Sequence, residues 1–156
     1  MEAIMLELQK KQIHMSRSKN TVSAQVTFDE DFNIPDAKPD VGSVLLKQAD
    51  AVMEELRQLS EKVIIKGRLD FEILYAVEGS GRMKNLSGAL TFEENVSYPG
   101  LEPGDYMRCR TKVEDISIRV VNSRKLHISA VLGAELFAAS APVSYTHLRA
   151  HETAAN

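Results

Sequence analysis

The run Glu61 to Val77, EKVIIKGRLDFEILYAV, constrains the fold more than any other part of the chain. Val63, Ile65, Leu69, Phe71, Ile73 and Tyr75 share one parity, while Lys62, Lys66, Arg68, Asp70 and Glu72 share the other. Successive side chains of an extended backbone point to opposite faces, so the pattern predicts a long strand with one apolar and one wet face. The apolar face must be covered by a second layer, which the weaker segments on either side have to supply. Gly67 falls on the apolar parity, marking either a bulge or a place where another backbone or a bulky side chain comes close.

A chain of 156 residues with 44% hydrophobic content can bury a core, and its length suits one domain. The net charge of -3 with mixed signs gives no broad basic field, and Trp is absent, so nucleic acid and aromatic sugar platforms are poor default partners. Cys109 stands alone and has no internal disulfide partner, as suits a reducing compartment. No apolar run approaches the roughly 20 residues that span a bilayer, which predicts no direct membrane insertion. Glu2 and Glu7 interrupt the order of regions a secretory signal needs, and the default address is the cytoplasm.

Along the chain, residues 1–20 read as a short N-terminal arm packed on the domain, with helix and strand both open for its first half. Val22, Ala24, Val26 and Phe28 alternate with polar neighbours as a half-buried strand, which Asp29, Glu30 and Asp31 are expected to end. Pro35 and Pro39 push Ile34 and Lys38 toward extended conformations, leaving Phe32 and Ile34 to pin an ordered loop to the core. Asp40 is placed to cap a helical turn through Val41 to Leu46. In 49–59 two patterns compete. Leu45, Ala49, Val52, Leu56 and Leu59 fit a helical stripe of good helix formers, whereas the short connection to the next strand suits a hairpin; the residues alone favour the helix.

Further on, Glu78-Gly79-Ser80-Gly81 is a turn, and Leu86, Gly88, Leu90 and Phe92 form a return strand. After the loop Tyr98 to Asp105, Met107, Cys109 and Val113 share one parity but Ile116, Ile118 and Val120 the other, which predicts a bulge near Glu114 and Asp115. Asn122 to Lys125 makes the next turn, and Leu126 to Leu136 the last strand. The fold expected is mainly β, an antiparallel β-sandwich or open barrel over residues 21–138 with at most one short helix. Residues 139–156 lose all periodicity. Val143 to Thr153 resembles the peptide obtained when sequencing-adapter DNA is translated, which predicts a disordered, non-native tail on a truncated native chain.

No phosphate loop, zinc-ligand spacing or nucleophile elbow is present, and no cofactor is expected. Asp29, Glu30, Asp31, Asp36 and Asp40 could offer oxygens to a hard cation, but their spacing lacks the DxDxDG regularity and reads as a solvated loop. Cys109 with His127 or His14 could pose as nucleophile and base, although Cys109 lies on the apolar parity of its strand. Asp70 and Glu72 could pose as paired carboxylates; beside Lys66 and Arg68 they read as cross-strand charge pairs on a wet face. Tyr75, Tyr98 and Tyr106 could line a cleft for a glycan or small molecule, the alternative function being a ligand- or glycan-binding module of the cell envelope.

Several segments in order, LELQKKQIHMSRSKNTVSAQVTFDEDFNIPDAKPDVGSVL, KVIIKGRLDFEILYAVEG, SGALTFEENV and VEDISIRVVNSRKLHISAVL, resemble the SPOCS domain. That domain occurs in spore-coat assembly proteins of endospore-forming clostridia, including the SipL type that ends in a LysM module. The likeness runs from about Leu6 to Phe137; its most specific parts are Phe32 to Asp36, Lys38 to Asp40, and Asn122 to Leu126. It implies a non-enzymatic structural domain for spore-coat assembly, working in the mother-cell cytoplasm at the forespore surface, with other coat-assembly proteins as partners. It also implies that 49–59 is extended. Partner contacts are expected at Phe32, Ile34, Pro35, Asp36, Lys38, Pro39, Asp40, Asn122 and Arg124, with no catalytic or metal-binding residue. The LysM module is missing here, so a partner of that module is not expected for these residues.

Overall fold

A computed structural model describes residues 18–141 as six antiparallel strands in two sheets. They are β1 (Val22–Asn33), β2 (Val41–Leu59), β3 (Lys62–Val77), β4 (Met83–Ser97), β5 (Tyr106–Asn122) and β6 (Lys125–Ala139). One sheet has the order β1-β6-β5 and the other β2-β3-β4, and they pack face to face as a sandwich with no closed barrel. The expected arm (1–20) and tail (139–156) fall, for residues 1–17 and 142–156, outside the described residues.

The central strands carry the core. Along β3 the side chains of Val63, Ile65, Leu69, Phe71, Ile73 and Tyr75 are buried, as the alternation predicts; along β6, Leu126, Ile128, Ala130, Leu132, Ala134 and Leu136 are. Burying a large apolar side chain contributes roughly 1.5–3 kcal/mol, so these two facing rows dominate the stability. Two edge-to-face ring pairs cross between the sheets, Phe28 with Phe92 at 5.8 Å and Phe32 with Phe71 at 5.0 Å. The wet face of β3 is laced by ion pairs: Arg68 holds Asp70 at 2.7 Å and Glu54 at 2.9 Å, and Lys66 lies between Glu55 and Glu93.

Two expectations fail on β2. Neither the helix over 49–59 nor the helical turn through Val41 to Leu46 forms; the whole of Val41–Leu59 is one strand paired with β3. Its register slips between Val41 and Ser43, between Val44 and Leu46, and between Met53 and Glu55. Each bulge adds a residue, so apolar spacing of two becomes three and imitates a helical stripe. The first strand also runs past Asp29, Glu30 and Asp31 to Asn33, because Asp29 and Asp31 lie on its wet face and bond across to β6. The bulge expected near Glu114 is present between Val113 and Asp115.

The sheets are stitched at both ends. The crossing 34–40 joins β1 to β2 at one end, and Tyr98 to Asp105 joins β4 to β5 at the other. In the second crossing Tyr98 and Leu101 are buried, and Glu61, held at φ 58 in the β2–β3 turn, donates its N–H to the Leu101 carbonyl and accepts from Tyr98 N–H. The buried Asp105 carboxylate accepts from Glu102 N–H at 2.9 Å and from Lys19 Nζ, and Lys19 N–H in turn donates to the Ala138 carbonyl. Burial would raise the Asp105 carboxyl, but Lys19 and the Glu102 amide together hold it below its ordinary range.

Candidate functional site

The nine residues named from the sequence gather at the end of the sandwich where β1 crosses to β2. β1 delivers Phe32 against Phe71 and turns Ile34 into the core, 4% exposed. Ile34 N–H donates to the Arg124 carbonyl at 2.8 Å, and Val41 N–H to the Ser123 carbonyl at 2.9 Å, so the crossing is bracketed by the β5–β6 turn. Between them Lys38 N–H closes a turn on the Pro35 carbonyl, and the buried Tyr75 hydroxyl donates to the Pro39 carbonyl at 2.9 Å. Pro35 and Pro39 have no N–H, so the loop is short of donors of its own and its carbonyls must find a donor elsewhere.

Arg124 is that donor for most of the loop. Its Nη1 donates to the Lys38 carbonyl at 2.7 Å and to Asp40 Oδ1 at 3.1 Å; its Nη2 donates to the Pro35 carbonyl at 2.8 Å and to the Ile34 carbonyl at 3.2 Å. A planar guanidinium fork reaches several acceptors at once, which a lysine cannot do. Asn122 Oδ1 accepts from Arg124 N–H at 2.8 Å and fixes the turn that aims it. Pro35, Asp36, Ala37 and Asp40 remain exposed, and the clamp uses neither the Asp36 nor the Lys38 side chain. The nine named residues thus divide: Phe32, Ile34, Pro39, Asp40, Asn122 and Arg124 build the loop, while Pro35, Asp36 and Lys38 offer side chains that the clamp does not use.

Sequence reasoning missed the surface next to it. Leu45, Leu46 and Met83 are exposed, Leu46 by 66% and Met83 by 62%, on the outer face of the β2-β3-β4 sheet near the same end, with Leu74 between them. The only signal was the Leu45-Leu46 pair, whose outward placement depends on the β2 bulge between Val44 and Leu46.

The chemical alternatives come apart in the same geometry. Cys109 stands opposite Leu136, about 30 Å along β6 from His127 and packed toward the core, and burial pushes its thiol up. Tyr75 and Tyr98 are buried at opposite ends of the sandwich, so no cleft of tyrosines forms. The acidic group is dispersed: Asp40 pairs with Arg124, whereas Asp29 and Asp31 flank His127 at 2.5 and 2.7 Å.

That last cluster predicts a pH dependence. Asp31 first and Asp29 next raise the His127 pKa above its ordinary 6.5, and His127 holds Asp29 below 3.8; Ser129 and, more distantly, Arg119 also face the cluster. A histidine raised on folding stabilises fully below its unfolded value and loses that contribution as pH rises through the folded one. A lowered carboxyl stabilises above its unfolded value and loses this as pH falls. The melting temperature of the parent should exceed that of His127→Gln most at about pH 5–6, with the difference vanishing toward alkaline pH. A difference constant from pH 5 to about 9 would show that the ring acts uncharged.

A family model described as SipL, SPOCS domain, matches residues 40–121. The matched stretch holds β2 to β4 and nearly all of β5, with Asp40 at its start. No curated protein and no solved structure matches the chain.

Proposed function

Because the chain belongs to the SipL SPOCS-domain family, we propose that it is a non-enzymatic protein-interaction domain of spore-coat assembly. It docks other coat-assembly proteins in the mother-cell cytoplasm at the forespore surface, through the end of the sandwich that bears Pro35 to Asp40. The observation that carries this reading is the Arg124 clamp: four acceptors of an exposed, proline-bounded loop are satisfied by one side chain of the neighbouring turn, so the loop meets a partner already ordered. A preordered loop loses little conformational freedom on binding, which raises affinity without enlarging the interface. The exposed Leu45, Leu46 and Met83 nearby add apolar area of the kind that marks docking surfaces. Cys109 and His127 stand far apart, and Asp70 is engaged by Arg68, which speaks for binding without catalysis.

Two substitutions separate presentation from scaffolding. Asp36→Ala with Lys38→Ala should leave the melting temperature unchanged while reducing recovery of coat-assembly proteins from sporulating cells about tenfold, a loss typical of removing rim charges together. Arg124→Ala should lower both recovery and stability, the latter by about 2 kcal/mol, because several loop carbonyls lose their donor. Undiminished recovery with the double variant would remove this loop from the interface.

A further inference from the structure

On the opposite sheet, β5 presents Arg108, Arg110 and Lys112 at alternate positions and therefore on one outward face, about 6.6 Å apart. Tyr106, 62% exposed, begins the same row. Cations at such spacing repel one another; on β3, by contrast, Lys66 and Arg68 alternate on one face with carboxylates within reach of each. Among the described residues none of the β5 trio makes an ion pair.

The carboxylates that could have paired with them are directed elsewhere. Glu114 follows Lys112 on the strand, but at the bulge between Val113 and Asp115 its side chain crosses β6 over Gly133 and accepts from Gln25 Nε2 on β1 at 2.9 Å. Any side chain at Gly133 would obstruct that crossing, since a Cβ there would meet the Glu114 carboxylate. Glu135 stands opposite Arg110, yet the Arg110 guanidinium lies over the Phe137 ring, 5.5 Å from its centre. Stacking fixes the guanidinium in place while leaving its charge uncompensated.

We propose that this row is a second docking surface, for an extended acidic peptide segment with Asp or Glu at alternate residues. The carboxylates of such a strand recur at the same interval of about 6.6 Å, so three can meet Arg108, Arg110 and Lys112 in register. A nucleic acid fits less well. Phe137, the ring that could stack a base, is covered by Arg110, which leaves no free aromatic platform on this row.

The test uses the whole chain and a short fluorescent peptide of alternating threonine and glutamate, titrated by anisotropy at low and physiological salt. The comparison probes are a peptide of the same composition with its glutamates contiguous and a single-stranded oligonucleotide of equal charge. Tighter binding of the alternating peptide than of either, weakening with salt, is the expected result. Arg110→Glu with Lys112→Glu should weaken it at least about tenfold at unchanged melting temperature, and Arg108→Ala with Arg110→Ala should act in the same direction. Lys84→Glu, on the other sheet, should bind as the parent does. No binding of the alternating peptide, equal binding by the contiguous one or by the β5 variants, equal loss in Lys84→Glu, or tighter binding of the oligonucleotide would each overturn the proposal.

Discussion

Residues 40–121 expressed alone should not fold: circular dichroism should show no cooperative thermal transition, whereas residues 18–141 should melt cooperatively. The family match ends before β6 and begins after β1, yet β6 is the middle strand of its sheet and pairs with both β1 and β5. Without it β5 has no hydrogen-bonding partner in its sheet. The inner face of β3 also loses the layer made by Leu126, Ile128, Leu132 and Leu136 from β6 and by Val26 and Phe28 from β1. At roughly 1.5–3 kcal/mol for each large side chain, that loss exceeds about 9 kcal/mol, comparable with the whole stability of a domain, which is about 5–15 kcal/mol.

The lower boundary at residue 18 matters for a second reason. Lys19 supplies the ammonium that meets the buried Asp105 carboxylate and also donates to the Gly100 carbonyl at 2.6 Å. The Tyr98 hydroxyl donates to the Asn20 carbonyl. A chain starting at Val22 would leave Asp105 charged, buried and without its cation, which is a costly arrangement. A cooperative melt from 40–121 alone would show that β2 to β5 can cover their own apolar faces in some other packing.

How far the sequence could be read follows from where the strands sit. β3 was legible throughout because it is central and continuous with its alternation, and the β5 bulge was legible because a parity change inside one apolar run has few other causes. β2 was not, since three bulges on an edge strand move its inner-face positions to Val41, Val44, Lys47, Ala49, Ala51, Met53, Leu56 and Gln58. Spacings of three and two intermixed cannot be told from a helical stripe, and Met, Glu and Gln add helix propensity that tertiary pairing overrides. The resemblance, by contrast, weighted Phe32 to Asp40 and Asn122 to Leu126 without saying why they belong together. Arg124 gives the reason: one side chain joins two segments that no periodicity connects. The Lys19–Asp105 contact and the stacked Arg110 left no trace in pattern, because single long-range pairs have none.

Gly67→Ala should destabilise the domain by about 3 kcal/mol, near the upper end of what overpacking a core costs. The position lies on the inward face of β3, beside Ile65 and Leu69, but the backbone there is not in a region reserved for glycine, so the effect is one of space. A Cβ added at Gly67 would fall on the Val52 carbonyl oxygen and 2.9 Å from Phe92 Cζ. Phe92 could swing aside only by giving up its edge-to-face contact with Phe28, and the carbonyl belongs to β2 next to the bulge between Met53 and Glu55. That bulge brings the β2 backbone over β3 where a side chain would otherwise stand, so the vacancy in β3 and the extra residue in β2 fit each other. Shortening β2 by deleting Glu54 should therefore recover part of the loss in the Gly67→Ala background, while being destabilising in the parent. Chemical denaturation of the four proteins measures this as a coupling between the two sites. Additive losses would show that the alanine is accommodated by Phe92 alone and that the bulge has no part in it.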